Sequence, residues 1–148
     1  MKKLFVFCDG GARGNPGPAA IGIVIKDEKG KILTSFGKRV GETTNNVAEY
    51  LAVIEALEWI KKNKHLLSQY QDVLISFFLD SRLIVNQLNG LFKVKDSYLR
   101  ELIVKIREAE AGVGGNISYC LIPRQKNWLA DSLVKKVLEC QAHVPLGF

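Results

Sequence analysis

The chain has 148 residues, 47% of them hydrophobic, which is enough for one sizeable core. Its 21 Lys plus Arg against 15 Asp plus Glu leave a net charge of +6, compatible with a polyanionic partner but not diagnostic of one. Cys8, Cys120 and Cys140 are widely spaced with no C-x-x-C pair, which argues against a disulfide framework or a zinc site and for a reducing cytoplasm.

Leu4–Cys8 reads as a short buried strand. The apolar run is too short for a signal h-region, which needs about 7–15 apolar residues, and Asp9-Gly10-Gly11 follows at once. A glycine-rich loop over Asp9–Pro18 leads to two more strands, Ala19–Lys26 and Lys31–Val40, joined by the turn residues Asp27-Glu28-Lys29-Gly30. Asn46 to about Lys62 has helical spacing in Tyr50, Ile54, Leu57 and Lys61. Val73–Leu79 is almost continuously apolar, as a strand covered on both faces should be. Ser81–Leu88 is a short helix that stops near Asn89-Gly90, and Ser97–Ala111 is a longer one broken by Gly112-Val113-Gly114-Gly115. Asn116–Ile122 alternates as a strand, Pro123 ends it, and a last helix runs from near Asn127 to about Cys140. The tail Gln141–Phe148, with Val144, Leu146 and Phe148, is expected to pack on the core or against a second subunit. Trp59 and Trp128 are expected to be partly buried packing residues.

This order of elements implies an α/β fold: a five-stranded mixed sheet, built of a three-strand antiparallel meander plus two parallel strands, with helices on both faces. No repeat, linker or membrane-length apolar run interrupts it, so residues 1–148 are read as a single domain.

Four carboxylates fall at element ends. Asp9 closes the first strand and Asp80 the central one, while Glu49 and Asp131 lie in the first turns of helices. If the first and fourth strands are parallel neighbours, Asp9 and Asp80 emerge side by side at the sheet edge where ligands of open α/β sheets bind. Clustered carboxylates repel and raise one another's pKa. Mg²⁺ resolves that conflict, because hard cations prefer carboxylate oxygens. Two ions about 4 Å apart suit in-line phosphate displacement. Each acid also has a purely structural reading. Asp9 is then a turn residue, Glu49 half of an Asn46-x-x-Glu49 capping box, Asp80-Ser81 a helix N-cap, and Asp131 a partner of the helix dipole.

The stretch Phe7-Cys8-Asp9-Gly10-Gly11-Ala12-Arg13-Gly14-Asn15-Pro16-Gly17-Pro18-Ala19 resembles the opening of type 1 ribonucleases H. Thr43 to Ala52, with Thr44-Asn45-Asn46 and Glu49, resembles that family's second motif. Leu79-Asp80-Ser81 resembles the third, and Ile122-Pro123-Arg124 through Ala130-Asp131 the fourth. The resemblance implies a ribonuclease H-like fold. It also implies an endoribonuclease that cuts the RNA strand of RNA–DNA hybrids with Mg²⁺, Mn²⁺ being a substitute, and leaves 3′-hydroxyl and 5′-phosphate ends. Asp9, Glu49, Asp80 and Asp131 match the metal-binding carboxylates. Gly10, Gly11 and Asn15 match positions near the RNA strand, Asn45 and Asn46 positions in the hybrid's minor groove, and Thr44 a phosphate pocket for the DNA strand. Close approach of glycine backbone and amide contacts to 2′-hydroxyls are sound chemistry for such readout by shape.

The pattern departs from the family in several places. The mobile His that many members carry before the last Asp is missing, and Arg124 stands as in a compact, archaeal-like branch. Arg124 is read as contacting the scissile phosphate or helping product leave, against a surface salt-bridge role. Ser81 is followed by Arg82 where many relatives have Gln, so Ser81-Arg82 is a substrate-binding pair of altered grip. The basic handle of some bacterial relatives is replaced by the short stretch Leu88–Lys95, which implies looser binding unless Lys93, Lys95 and Arg100 compensate, and those three read equally well as a solvated face. Double-stranded RNA stays open as a side substrate, and no obligate protein partner or membrane is implied. Other nucleases of the same fold, such as junction resolvases and exonucleases, share the acids but not the Thr-Thr-Asn-Asn and Asp-Gly-Gly combination. A hybrid-binding module without activity would be expected to lose a carboxylate.

Overall fold

The computed structural model describes residues 2–67 and 73–143, with side chains over 2–65 and 73–140. Its elements are β1 (Lys3–Ala12), β2 (Gly17–Asp27), β3 (Ile32–Thr43), α1 (Asn45–Lys62), β4 (Leu74–Leu79), α2 (Arg82–Leu88), α3 (Ser97–Val113), β5 (Asn116–Leu121) and α4 (Trp128–His143). Short 3-10 turns occupy Lys64–Leu67 and Arg124–Asn127. The five strands form one sheet in the order β3-β2-β1-β4-β5. β1, β2 and β3 are antiparallel neighbours, while β1, β4 and β5 run parallel. The expected fold class is what the structure has.

Side-chain alternation sorts the two sheet faces. Leu4, Val6 and Cys8 of β1, Ile21, Ile23 and Ile25 of β2, and Ile75, Phe77 and Leu79 of β4 join one buried cluster with Tyr50, Val53 and Leu57 of α1 and Leu102 and Ile106 of α3. Most of these are fully buried, and removing a ring such as that of Phe77 from such a site costs about 3–5 kcal/mol. The other face carries α4, whose backbone lies directly on two paired glycines. Gly22 is opposite Gly37 in the β2–β3 ladder. A Cβ on Gly22 would sit 2.2 Å from the Ala130 carbonyl oxygen, and one on Gly37 2.7 Å from Val137 Cγ2. Glycine is needed here because only a missing side chain lets the helix come so close.

Several boundaries differ from the expectation. β1 does not stop at Cys8 but runs to Ala12, so the glycine-rich loop shrinks to Arg13–Pro16. The reason is that β2 continues the ladder past Asp9, with Asp9 opposite Gly22 and Gly11 opposite Ala20. α3 ends at Val113, not Ala111, because its cap is the positive-φ Gly114, φ 72°, rather than Gly112. α4 reaches His143, three residues beyond the expected end; the remainder of the tail, with Val144, Leu146 and Phe148, lies outside the described residues. Trp59 is half-buried as expected, but Trp128 is 61% exposed. Among the described residues no helix is long and apolar enough to cross a membrane.

Candidate active site

The register of β1 and β4 places the first two acids. Phe7 opposite Phe78 is the last pair of the parallel ladder, and Asp9 and Asp80 each follow two residues later. Both side chains therefore leave the same face at the same level. Asp80 is at the end of its strand as expected. Asp9 lies inside β1 rather than at its end, yet past the point where β4 stops pairing.

Glu49 arrives from α1 by a close helix–strand contact. A Cβ on Gly10 would lie 2.4 Å from the Ala48 carbonyl carbon and 2.5 Å from the Glu49 nitrogen. Gly10 is thus required by α1, a constraint inside the protein, beyond the expected approach of nucleic acid. The Gly10 N–H also donates to Glu49 Oε1 at 3.3 Å. Glu49 is the fifth residue of α1, not a member of its first turn. The capping box is not formed: Thr44 is the N-cap, its Oγ1 accepting from the Val47 N–H at 3.2 Å. Thr44 wins because the helix starts one residue earlier than its apolar pattern suggested.

One oxygen each from Asp9, Glu49 and Asp80 lie within 4.8 Å of one another. Asp9 and Glu49 are 8% and 7% exposed. Burial, then the charge of Asp80, pushes Asp9 up to about 7, and the Asp131 charge adds to the rise. Burial, followed by the charges of Asp9 and Asp80, raises Glu49 well above the usual carboxylate range. Glu49 Oε2 is buried and no hydrogen-bond donor reaches it. Three convergent carboxylates, two of them resisting ionisation and one with an orphaned oxygen, fit a hard divalent cation. The donor set lacks His and Cys, which disfavours zinc.

Asp131 sits in the first turn of α4, as expected, but outside this tight trio. Its Oδ2 is held by Lys135 Nζ at 2.9 Å, one turn along the helix. Arg124 is 81% exposed, with Nε 4.0 Å from Asp80 Oδ1. These groups surround a cleft of about 470 Å³ whose walls include Gly10, Gly11, Asn45, Asn46, Ser81 and Lys135 besides the four acids and Arg124. Asn15, Thr44 and Arg82 do not line it. Asn15 acts on a liner instead: its Oδ1 accepts from the Asn45 N–H at 2.9 Å, and Asn45 Oδ1 accepts from the Ala12 N–H at 2.8 Å. The β1–β2 turn and the start of α1 are thereby tied together. Ser81 caps α2, its Oγ accepting from the Ile84 N–H at 3.3 Å. Arg82 is exposed at the start of that helix.

One site residue escaped the sequence reading. Asn127 is 1% exposed, and its Nδ2 donates both to the Cys8 carbonyl and to Asp80 Oδ2, at 2.9 and 3.0 Å. The available signal was an Asn one turn ahead of Asp131, but a helix start explains an Asn there equally well.

The Reverse transcriptase-like family matches residues 7–137. Among solved structures, the chain is similar to LC11-RNase H1, isolated from compost by a metagenomic approach, with 44% identity and TM-score 0.86 over 96% of this chain and 99% of that one. The same enzyme in complex with an RNA/DNA hybrid matches at 43% identity and TM-score 0.85, covering 94% and 99%. Ribonuclease HI of Halobacterium salinarum is 36% identical over 137 residues, 93% of this chain and 65% of that protein. The bifunctional protein Rv2228c of Mycobacterium tuberculosis is 35% identical over 141 residues, and there the chain spans 95% of itself but 36% of the relative.

Proposed function

The chain belongs to the ribonuclease H family, and from that membership we propose that it is a ribonuclease H that hydrolyses the RNA strand of RNA–DNA hybrids, residues 1–148 acting as one catalytic domain. The observation that carries this reading is the convergence of Asp9, Glu49 and Asp80 within 4.8 Å at the head of an open cleft. It is supported by 44% identity to an RNase H1 along nearly the whole chain, and that protein has been seen with an RNA/DNA hybrid. Free cysteines and the net positive charge agree with a cytoplasmic protein that meets nucleic acid.

Asp9, Glu49, Asp80 and Asp131 are the residues that would hold Mg²⁺, with Mn²⁺ as a substitute. Two such ions, when bound, supply the positive charge and the activated water that in-line phosphate displacement needs, leaving 3′-hydroxyl and 5′-phosphate ends. The chain's own groups do the rest. Asn127 fixes Asp80 in rotation. Arg124, free to swing, neutralises phosphate at the mouth of the cleft. Gly10 and Gly11 present backbone to the RNA strand, and Asn45 and Asn46 offer amide groups to the minor groove with Asn15 bracing Asn45. Ser81 in the cleft wall, and Thr44 and Arg82 beside it, serve the phosphates. Such contacts read duplex shape and 2′-hydroxyls, with little sequence preference.

The test is cleavage of an end-labelled hybrid with Mg²⁺ or Mn²⁺, beside double-stranded RNA and DNA controls. Cutting confined to the RNA strand of the hybrid, and abolished by Asp9→Asn, is the expected result. Intact hybrid with both metals overturns the reading, and cleavage of double-stranded RNA would widen it.

A further inference from the structure

The two sheet faces are covered unequally. α4 packs on β2 and β3 and on part of β1, leaving its side of β4 and β5 without a helix among the described residues. That open half carries aromatic side chains. Phe7 stacks on Phe78 with ring centroids 5.0 Å apart, and Phe5 lies 5.9 Å from Phe78. All three are half-buried, whereas Phe77 on the helix-covered face is fully buried. Trp128, which begins α4, shares a small crevice with Phe7, Lys26 and Lys126. Lys26 Nζ stands 5.3 Å above the Phe7 ring. The neighbouring acid, Asp27, is turned away into its own hairpin, accepting the N–H groups of Lys29 and Lys31 at 2.9 Å each.

This ledge is continuous with the active centre. Phe7 and Phe78 each precede a site carboxylate by two residues, and Trp128 directly follows the Asn127 that holds Asp80. Asn127 lines this crevice and also bonds Asp80, so the crevice lies beside the carboxylates.

We propose that the ledge formed by Trp128, Phe7 and Phe78, rimmed by Lys26 and Lys126, is a second nucleic-acid surface that takes an unpaired, single-stranded extension of the substrate. It rests on the hybrid-cleaving reading above and adds a preference among hybrids: those with a single-stranded end or flap are held better than blunt ones. The chemistry selects this ligand. Aromatic faces alone suit a protein as well, but cations beside them select a polyanion, and a base pairs its π-face with a ring only when it is not stacked in a duplex. Each stacked base is worth about 1–3 kcal/mol whatever its identity, so the surface works without sequence reading. Lys26 and Lys126 engage the phosphates between stacked bases.

The test compares binding of a blunt hybrid with hybrids carrying a 5′ or a 3′ single-stranded extension, by fluorescence anisotropy in EDTA so that nothing is cut. An extension of one polarity is expected to tighten binding about tenfold, the worth of roughly one stacked base. Trp128→Ala removes that gain and leaves affinity for, and cleavage of, the blunt hybrid unchanged; Trp128→Phe keeps most of it. No gain with either polarity, or a gain that survives Trp128→Ala, overturns the proposal. Concentration-dependent self-association lost in Trp128→Ala would assign the ledge to a second copy of the chain and overturn it too. If the wild type neither binds nor cuts blunt hybrid, the hybrid-cleaving reading fails instead. The ledge is then decided by whether a single-stranded oligonucleotide quenches the part of the tryptophan fluorescence that Trp128→Ala removes.

Discussion

Asn127 Nδ2 lies 3.0 Å from Asp80 Oδ2 and, through its second hydrogen, 2.9 Å from the carbonyl of Cys8. One buried amide thus ties the turn ahead of α4 to both strands that carry site acids. The Cys8 carbonyl belongs to the residue before Asp9, so Asn127 sets the relative positions of Asp9 and Asp80. Asn127→Ala is expected to leave these acceptors unpaired at a cost of about 1–3 kcal/mol, seen as a lower Tm. It should also lower kcat by about tenfold or more, with a smaller change in KM, since misplaced groups lose transition-state rather than ground-state contact. A purely structural Asn127 would lower Tm while the folded fraction kept wild-type kcat, and steady-state kinetics at a temperature well below the transition separates the two.

The raised acids link stability to pH and to metal. Asp9 titrates near 7 in the folded chain against 3.8 as its ordinary value. Between those values the folded state holds a proton that the unfolded state has released, so stability falls as pH rises through this window and stays low above it. Glu49, raised by the same burial and neighbours, acts in the same direction. In EDTA, therefore, Tm should drop from pH 5 to pH 8, and Asp9→Asn should raise Tm at pH 8 by on the order of 5 °C. Mg²⁺ binds the ionised form, so its stabilising effect should be larger at pH 8 than at pH 5.5. Thermal melts over that range, with and without metal, check both signs. A Tm in EDTA that climbs with pH in Asp9's window would show that the cluster is not strained by its charge.

The acids were legible in the sequence because short apolar runs mark strands well and four of the segments so read carried an acid at or near one end. The order of elements implied two parallel strands beside the meander, and the pairing of β1 with β4, on which the meeting of Asp9 and Asp80 was conditional, is what the register has. What stayed hidden depends on neighbours distant in sequence. β1 continues past Cys8 only because β2 offers partners up to Ala19. Gly10 reads as a loop glycine until α1 is seen resting on it. The N-cap is Thr44, two residues ahead of the Asn46 that the capping-box pattern offered, a difference that periodicity does not resolve. Trp128 is exposed because α4 covers only half of its sheet face, a fact about layer coverage with no local signature.

Gly10→Ala tests the close approach that delivers Glu49. A methyl group there meets backbone atoms of Ala48 and Glu49 at 2.4 to 2.6 Å, and backbone does not yield as a side-chain tip does. α1 must shift outward, taking Glu49 from Asp9 and Asp80. Overpacking of this kind costs about 1–3 kcal/mol. The expected outcome is a lower Tm together with loss of the Mg²⁺-dependent rise in Tm, while Gly11→Ala, whose added methyl finds Val134 Cγ1 at an ordinary 3.5 Å, keeps that rise. Equal metal response in both variants would mean that Glu49 is not placed by this contact.

Arg124 stands where the family's mobile His is missing, and its geometry suits a group that moves. Its side chain is 81% exposed, and the 4.0 Å separation from Asp80 is a loose ion pair. Exposed pairs of this kind contribute about 0–1 kcal/mol, so Arg124→Ala should leave Tm nearly unchanged. If the guanidinium meets phosphate at the cleft mouth, the same variant should lower kcat on a hybrid by about tenfold, and Arg124→Lys, which keeps charge but not the planar fork, should recover only part of it. Removing Arg124 also leaves the Asp80 charge without its nearby cation, which on its own would alter the Mg²⁺ requirement. Measuring kcat at saturating Mg²⁺ separates that effect from phosphate contact. Wild-type kcat for Arg124→Ala under those conditions would reduce Arg124 to a surface partner of Asp80 and return the product-release step to other residues.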